Sequence, residues 1–341
     1  MYEYSLSGTK TIGPGGDYVT LTAAIQAIQT NGLSRPLTLE IMSDYVSAGE
    51  TFPITFTNLS TTSTNTLSVR PANNASNLLI SGLNSTAIIR IQNEDYVIID
   101  GRPEGAGTNR ELTIRNTNTS GAAIRFDNNA SFNTISYCKI EGNNTNGGVV
   151  WFNGGTTNGG DNNLIEECII RDRSDSADLP VNLIFSTLSS STSSNDNNQI
   201  ISNELFNFSQ RAILLFSSNW GNNWNISGNH IYQTENRATN FICISINYGS
   251  GHNIIYNYIG GSERGAKGNF MSTSGTFNGI AIAAVASANI EKNIFRKISV
   301  TNTTSISSII TNSGSGTIKN NTIGDDDYNY RIESKDGRCR D

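Results

Sequence analysis

Residues 252–261 read HNIIYNYIGG. Asparagine and tyrosine are too frequent in it for a helix, and isoleucine is too frequent for a loop. Near-copies recur along the chain with the form N-x-I-x-x-N-x-I. They are NTISYCKI from Asn133, NLIEECII from Asn163, NQIISNEL from Asn198, WNISGNHI from Trp224, HNIIYNYI from His252, ANIEKNIF from Ala288 and GTIKNNTI from Gly316. The first isoleucine of each copy falls at 135, 165, 200, 226, 254, 290 and 318, so the spacings are 30, 35, 26, 28, 36 and 28 residues. A fixed phrase at a loosely fixed period of this size marks a solenoid, with loops of different length between constant parts.

Within each copy the apolar positions alternate with polar ones, which is the period of a strand. A second strand precedes most copies: AAIRFDN, GVVWFNG, NLIFSTL, AILLFSS, ICISINY, GIAIAAV and SSIITNS. Two or three short strands per coil around an uncharged core predict an all-β, right-handed parallel β-helix of about ten coils. The sixth motif position holds Cys138, Cys168, Asn203, Asn229, Asn257, Asn293 and Asn321. Stacked at one inward corner, these asparagines are expected to bond one another and the backbone of the bend as a structural ladder, with the two cysteines as small buried substitutes. Phe126, Phe152, Phe185 and Phe216 occupy similar places and are expected to form an internal aromatic stack.

Composition agrees with many short strands and turns. Charged residues make up only 15 % of the 341 residues, and the net charge is −6. No run of Lys and Arg is present, so a nucleic-acid partner is not expected. The longest smooth apolar stretch, GIAIAAVASANI, is too short to span a bilayer. The opening MYEYSLSGTK has no apolar signal core, so the chain either stays inside the cell or is a mature piece without its export signal. Four cysteines in this length make no disulfide framework.

The open end of a β-helix needs a cover. In DYVTLTAAIQAIQTNG, Leu21, Ile25 and Ile28 share one helical face, Thr20 or Thr22 can cap the start, and Gly32 suits the C-terminal turn. An amphipathic capping helix is therefore expected over about 20–31, in a single β-helix domain over 1–335 with regular coils over about 80–324. Residues 325–341 read as an irregular, frayed or truncated tail.

These features resemble the pectin-lyase-like superfamily of right-handed parallel β-helices over nearly the whole chain. The entry GPGGDYVTLTAAIQAI is similar to the opening of pectin methylesterases. Together with FPITF, DYVIIDGRPEG, ELTIRNT and the repeated coils, it is closer to the secreted or surface β-helix proteins of Bacteroidota exported by the type nine route. The superfamily includes lyases, hydrolases, esterases and non-catalytic adhesive rods, so the resemblance implies fold more than function. The Gln-Asp-Thr and Asp-Phe-Ile phrases of the esterases are absent, and Arg102 stands in DGRPEG with Glu104 where those enzymes have Trp. Polygalacturonase phrases survive only as the fragment SGHN around His252. The paired-arginine and calcium-site phrases of pectate lyases are not visible.

Among ionisable groups, the loop RDRSDSADLP holds Arg171, Asp172, Arg173, Asp175 and Asp178 just after a coil. Carboxylates beside arginines suit acid/base work, and Ca²⁺ is conceivable there without a pattern to support it. Arg171, Asp172, Asp175 and Asp178 are the catalytic candidates if the chain is an enzyme; a plain charged surface loop is the competing reading. Glu166 and Glu291 share the outward fourth position, four coils apart. Asp325, Asp326 and Asp327 read as a solvated terminus, and His230 and His252 as solvated surface residues. Trp220, Trp224 and Tyr232 are the ligand-binding candidates, because exposed aromatics beside amides are what sugar rings stack on; one or both tryptophans packed under a loop is the competing reading.

The resulting expectation is an exported cell-surface or secreted module. It binds polysaccharide or a surface glycan, or adheres, without catalysis. The alternative is a polysaccharide lyase or glycoside hydrolase with an unrecognised site. No metal or cofactor is expected, and the chain is expected to be a monomer or part of a larger surface protein.

Overall fold

The computed structural model describes residues 5–155, 158–187, 193–216, 221–301, 305–312, 315–324 and 332–334. Its strands pair in parallel, each with the equivalent strand one coil away. The result is a parallel β-solenoid of about ten coils. Three faces run its length. One carries the strands that precede each motif, such as Gly148–Gly154 on Asn182–Thr187. The second carries the first half of each motif, such as Thr134–Ser136 on Leu164–Glu166. The third carries the second half and includes Cys138–Gly142, Ile169–Arg171, Glu204–Phe206 and His230–Tyr232. Phe241–Ile255 and Phe277–Glu291 are each 15 residues long and run from the first face into the second. The stack is already regular ahead of residue 80, because Leu6–Ile12 pairs with Leu33–Ile41 and that strand pairs with Leu67–Pro71.

The motif explains itself at its corner. Its fifth position is left-handed in every copy: Tyr137, Glu167, Ser202, Gly228, Tyr256, Lys292 and Asn320 all have φ between 51° and 66°. That conformation turns the chain sharply from one face to the next and costs non-glycine residues energy. The following residue compensates. Asn203 donates its backbone N–H and its Nδ2 to Oδ1 of Asn229 at 3.0 and 3.1 Å. Asn229 does the same to Asn257, Asn257 to Asn293, and Asn293 to Asn321. Each of these Nδ2 groups also reaches a carbonyl of the preceding coil, as Asn229 does to Ile200 at 2.8 Å. Cys168 hands its N–H to Asn203 at 2.9 Å, and its Sγ accepts the N–H of Cys138 at 3.4 Å. Cys138, Cys168 and Cys243 are buried free thiols.

A second column stands at the first motif position. Asn133 donates to Oδ1 of Asn163, and Asn163 to Oδ1 of Asn198. Trp224 and His252 continue it, with His252 Nδ1 accepting the Trp224 N–H. Both histidines are therefore buried, contrary to the surface reading: His252 is fully covered, and His230 accepts the Gly265 N–H at 3.0 Å while stacking on Tyr258. The motif isoleucines fill the interior.

The helix spans Leu21–Asn31, with Thr20 Oγ1 accepting from the Ala23 N–H and Gly32 at φ 71° closing it. Thr22 is not the cap. Its hydroxyl donates to Glu50, whose carboxylate also takes the N–H groups of Leu21 and Thr22 at 2.7 and 2.9 Å. A carboxylate on the first-turn N–H groups satisfies them and complements the helix dipole. Leu21, Ala24, Ile25 and Ile28 are buried in the core.

Two expectations are corrected. The four phenylalanines do not make one stack. Phe126 and Phe152 stack inside at 4.6 Å, but Phe185 pairs in register with Trp151 and points outward, and Phe216 is 53 % exposed. The tail is not irregular throughout, since Ile332–Ser334 pairs with Ile298–Val300; Asp325, Asp326 and Asp327 lie outside the described residues. Among the described residues no helix is long and apolar enough to cross a membrane.

Candidate functional site

Strand alternation sends Phe152 inward and therefore Trp151 outward. Trp151 opens an aromatic column on the first face. Its ring meets Phe185 at 5.4 Å, and Phe185 meets Phe216 at 6.2 Å. Arg125, one coil earlier in register, lays its guanidinium 4.7 Å from the Trp151 ring centre. Arg125 is held by Asp127 at 2.8 Å, and the same buried carboxylate takes Arg90 at 2.5 Å and the Nδ2 of Asn153 at 2.8 Å. Two arginines and one amide on one carboxylate leave the Arg125 fork rigid under the indole. Trp151 Nε1 is covered and has no hydrogen-bond partner among the described residues. Buried indole N–H groups usually find one, so this is an unsatisfied donor at the head of the column. Sequence reasoning passed over Trp151, Arg125 and Asn153. The signal was present in GVVWFNG, because placing Phe152 in the core forces its neighbour out.

The candidates named from sequence fall elsewhere. Trp220 lies outside the described residues. Trp224 is fully buried, with Nε1 donating to the Asn195 carbonyl at 2.5 Å and its ring edge-on to Phe152 at 5.0 Å. It offers no face to a ligand, and the expectation of an exposed Trp224 is corrected: it fills the interior beneath Phe216, with which it lines a small crevice. Tyr232 is also covered, stacked on Phe206 at 4.7 Å with its hydroxyl donating to Glu204 at 3.1 Å. Burial and the neighbouring Glu204 push that phenol well above its ordinary value.

The charged loop lies on the third face and is internally paired. Arg171 Nε contacts Asp172 Oδ1 at 2.9 Å while its guanidinium sits over Phe206. Asp172 is buried and also accepts from Asn207 at 3.1 Å; desolvation raises its pKa in spite of these partners. Asp175 is gripped by Arg173 at 2.9 Å and Arg115 at 3.2 Å, which lowers its pKa. Asp178 caps Ser176 in an exposed turn. These four side chains do not converge on one point. Arg171 and Asp172 pair with each other, and Asp175 and Asp178 bond different partners. Among the described residues no three His, Cys, Asp or Glu side chains gather to hold a metal ion.

One further pair is placed by register. Asp100, Ser136 and Glu166 share a column on the second face. Arg102 grips Asp100 with Nε and Nη2 at 3.0 and 2.8 Å. Desolvation raises the pKa of Glu166, and Arg102 opposes that rise.

No family model and no curated protein matches the chain. Among solved structures, it is similar to the Streptococcus pneumoniae surface protein and adhesin PfbA. In one structure of that protein the identity is 9 %, over 88 % of this chain and 94 % of that one, with a TM-score of 0.39. In a second the identity is 12 %, over 92 % and 88 %, with a TM-score of 0.41. It is also similar, at 10 % identity over 96 % and 99 % and a TM-score of 0.22, to the endo-xylogalacturonan hydrolase of Aspergillus tubingensis.

Proposed function

We propose that the chain is an exported surface module that binds polysaccharide on its first face and does not cut it. The observation that supports this reading is the outward column Trp151–Phe185–Phe216. It combines a half-buried Trp151 and an exposed Phe216 bridged by the covered Phe185, an unsatisfied indole N–H, and flanking Arg125 and Asn153 fixed by Asp127. Sugar rings stack on aromatic faces through their C–H edges and bond their hydroxyls to nearby amides and N–H groups. The experiment is affinity electrophoresis of the parent, Trp151→Ala and Phe216→Ala through gels containing single polysaccharides. Retardation of the parent that shrinks in both variants is expected. Equal retardation of all three would remove this face from the reading.

A hydrolase or lyase remains the second reading, and one relationship favours it. Asp100 and Glu166 stand two coil steps apart, roughly 10 Å between their backbones at about 4.8 Å per step. Inverting glycosidases hold their carboxyl groups about 6.5–9.5 Å apart. Against it, the double grip of Arg102 leaves Asp100 poorly placed to activate water.

A further inference from the structure

Beside the aromatic column, and three residues earlier along the same strands, the first face holds an open groove of about 550 Å³. Its walls include Gln210, Arg211, Asn240, Thr276 and Asn278, and its floor is the buried Phe241. Arg211 is the one charged side chain lining it among the described residues. The register aligns Asn182, Arg211, Ile242 and Asn278 on four successive coils.

Three of these four side chains carry a buried polar atom without a hydrogen-bond partner: Asn182 Oδ1, Arg211 Nε and Asn278 Oδ1. Native chains leave few such atoms, and each one is destabilising. Finding three in one column sets this corner apart from the rest of the molecule, where the inward asparagines are bonded on both sides. Arg211 differs from most of the arginines and shares with Arg237 a half-buried guanidinium bonded to amide oxygens rather than to a carboxylate. Arg70, Arg90, Arg102, Arg110, Arg115, Arg125, Arg171 and Arg173 all meet carboxylates. Among the described residues Arg211 has no ion pair, and its Nη1 donates to the amide oxygen of exposed Gln210 at 3.0 Å. Burial alone lowers its pKa, without any carboxylate acting on it. A half-buried guanidinium with no counter-charge has a strong preference for an anion, and its fork matches the geometry of an oxyacid. Asn278, two coil steps along the same groove, adds an amide oxygen that accepts hydrogen bonds, so it suits a hydroxyl group of the same ligand.

We propose that this groove recognises an oxyacid group, a carboxylate or a sulfate ester, on a hydroxylated sugar chain, with Arg211 as the cation that reads it. The proposal rests on the polysaccharide-binding reading and extends it by naming the charge class of the glycan.

The test is affinity electrophoresis in carboxylated, sulfated and neutral polysaccharide gels, at low and high salt. Four proteins are compared: the parent, Arg211→Gln, Asn278→Asp and Trp151→Ala. Circular dichroism melts first establish that each is folded. Asn278→Asp leaves Arg211 in place and adds a negative charge to the same groove two coil steps away, so a loss in that variant cannot come from removal of the arginine's packing. The expected result is salt-sensitive retardation by one acidic class, weakened roughly tenfold or more in Arg211→Gln and Asn278→Asp. The arm that retards the parent identifies carboxylate or sulfate. Binding that is as strong to neutral glycans and unchanged in both groove variants would overturn this proposal while leaving the polysaccharide reading intact. Acidic binding lost in the groove variants but unaffected by Trp151→Ala would support the groove and displace the aromatic column as the site. No retardation of a folded parent in any gel would overturn both.

Discussion

His252 accepts the backbone N–H of Trp224 through Nδ1 at 3.3 Å, while its Nε2 faces the Tyr248 carbonyl at 3.1 Å. That geometry requires the neutral ring with its proton on Nε2, because a doubly protonated imidazole has no acceptor. The ring thus does what an asparagine amide does at the same position in the copies from Asn133, Asn163 and Asn198.

This arrangement makes stability pH-dependent. Desolvation lowers the pKa of His252 below 6.5, and that of His230 to about 4. The unfolded chain therefore takes up these protons first. Above about pH 6.5 both states are neutral and the contacts are complete; stability is lost as pH falls from there toward 4. Urea unfolding midpoints measured at pH 7.5 and pH 5 are expected to fall with pH. His252→Asn, which restores an amide to the column, is expected to fold and to show a smaller fall. An unchanged pH dependence in that variant would separate His252 from the effect.

The asparagine corner invites a direct measurement. Asn229→Ala removes the acceptor of the Asn203 N–H and the donor to the Ile200 carbonyl. A buried backbone group left without its partner costs about 1–3 kcal/mol. A clear drop in melting temperature is expected, with Asn257→Ala giving a similar one because it makes equivalent bonds. Melts indistinguishable from the parent would show that the corner is held by the backbone turn alone.

Cys138 and Cys168 occupy the same corner one coil apart, each fully buried. Burial raises the pKa of the Cys138 thiol well above its ordinary value, and its hydrogen bond and proximity to Cys168 add to the rise. Both are expected to stay reduced and unreactive, because neither sulfur is open to a reagent in the folded chain. Labelling with a maleimide should modify neither under native conditions and both in denaturant. A linked pair of peptides in a non-reducing digest would contradict this.

The repeat made the fold legible because each coil must solve the same corner. A left-handed fifth position, a bonded sixth and inward isoleucines leave a periodic trace whatever the loops between them do. The outward face leaves no such trace. NLIFSTL and GVVWFNG align by eye on their phenylalanines, yet the ladder pairs Val150 with Ile184, so Phe185 falls opposite Trp151. A one-residue slip exchanges inside for outside, which is why the sequence alone places Phe185 in the core beside Phe152. Trp224 failed for the opposite reason. It sits at a first motif position, where the chain turns inward, and the surrounding asparagines gave it the look of a surface loop. Arg211 could not be singled out at all, since what distinguishes it is that no carboxylate among the described residues pairs with it in space.

The last prediction concerns catalysis. If the chain binds without cutting, Asp100→Asn and Glu166→Gln should leave glycan retention unchanged, because neither lies on the first face. Pure protein incubated with acidic and neutral polysaccharides, with and without Ca²⁺, is expected to release no new reducing ends and no unsaturated product absorbing in the ultraviolet. Were cleavage to appear, the two variants would discriminate its origin. Glu166, whose pKa is raised by desolvation against the pull of Arg102, is the member of the pair better suited to donate a proton. Loss of cleavage in Glu166→Gln with retention preserved would place the chemistry on the second face and reduce the aromatic column to substrate binding. Cleavage that survives both substitutions but fails in Asp172→Asn would move it to the third face, where the Arg171–Asp172 pair stands.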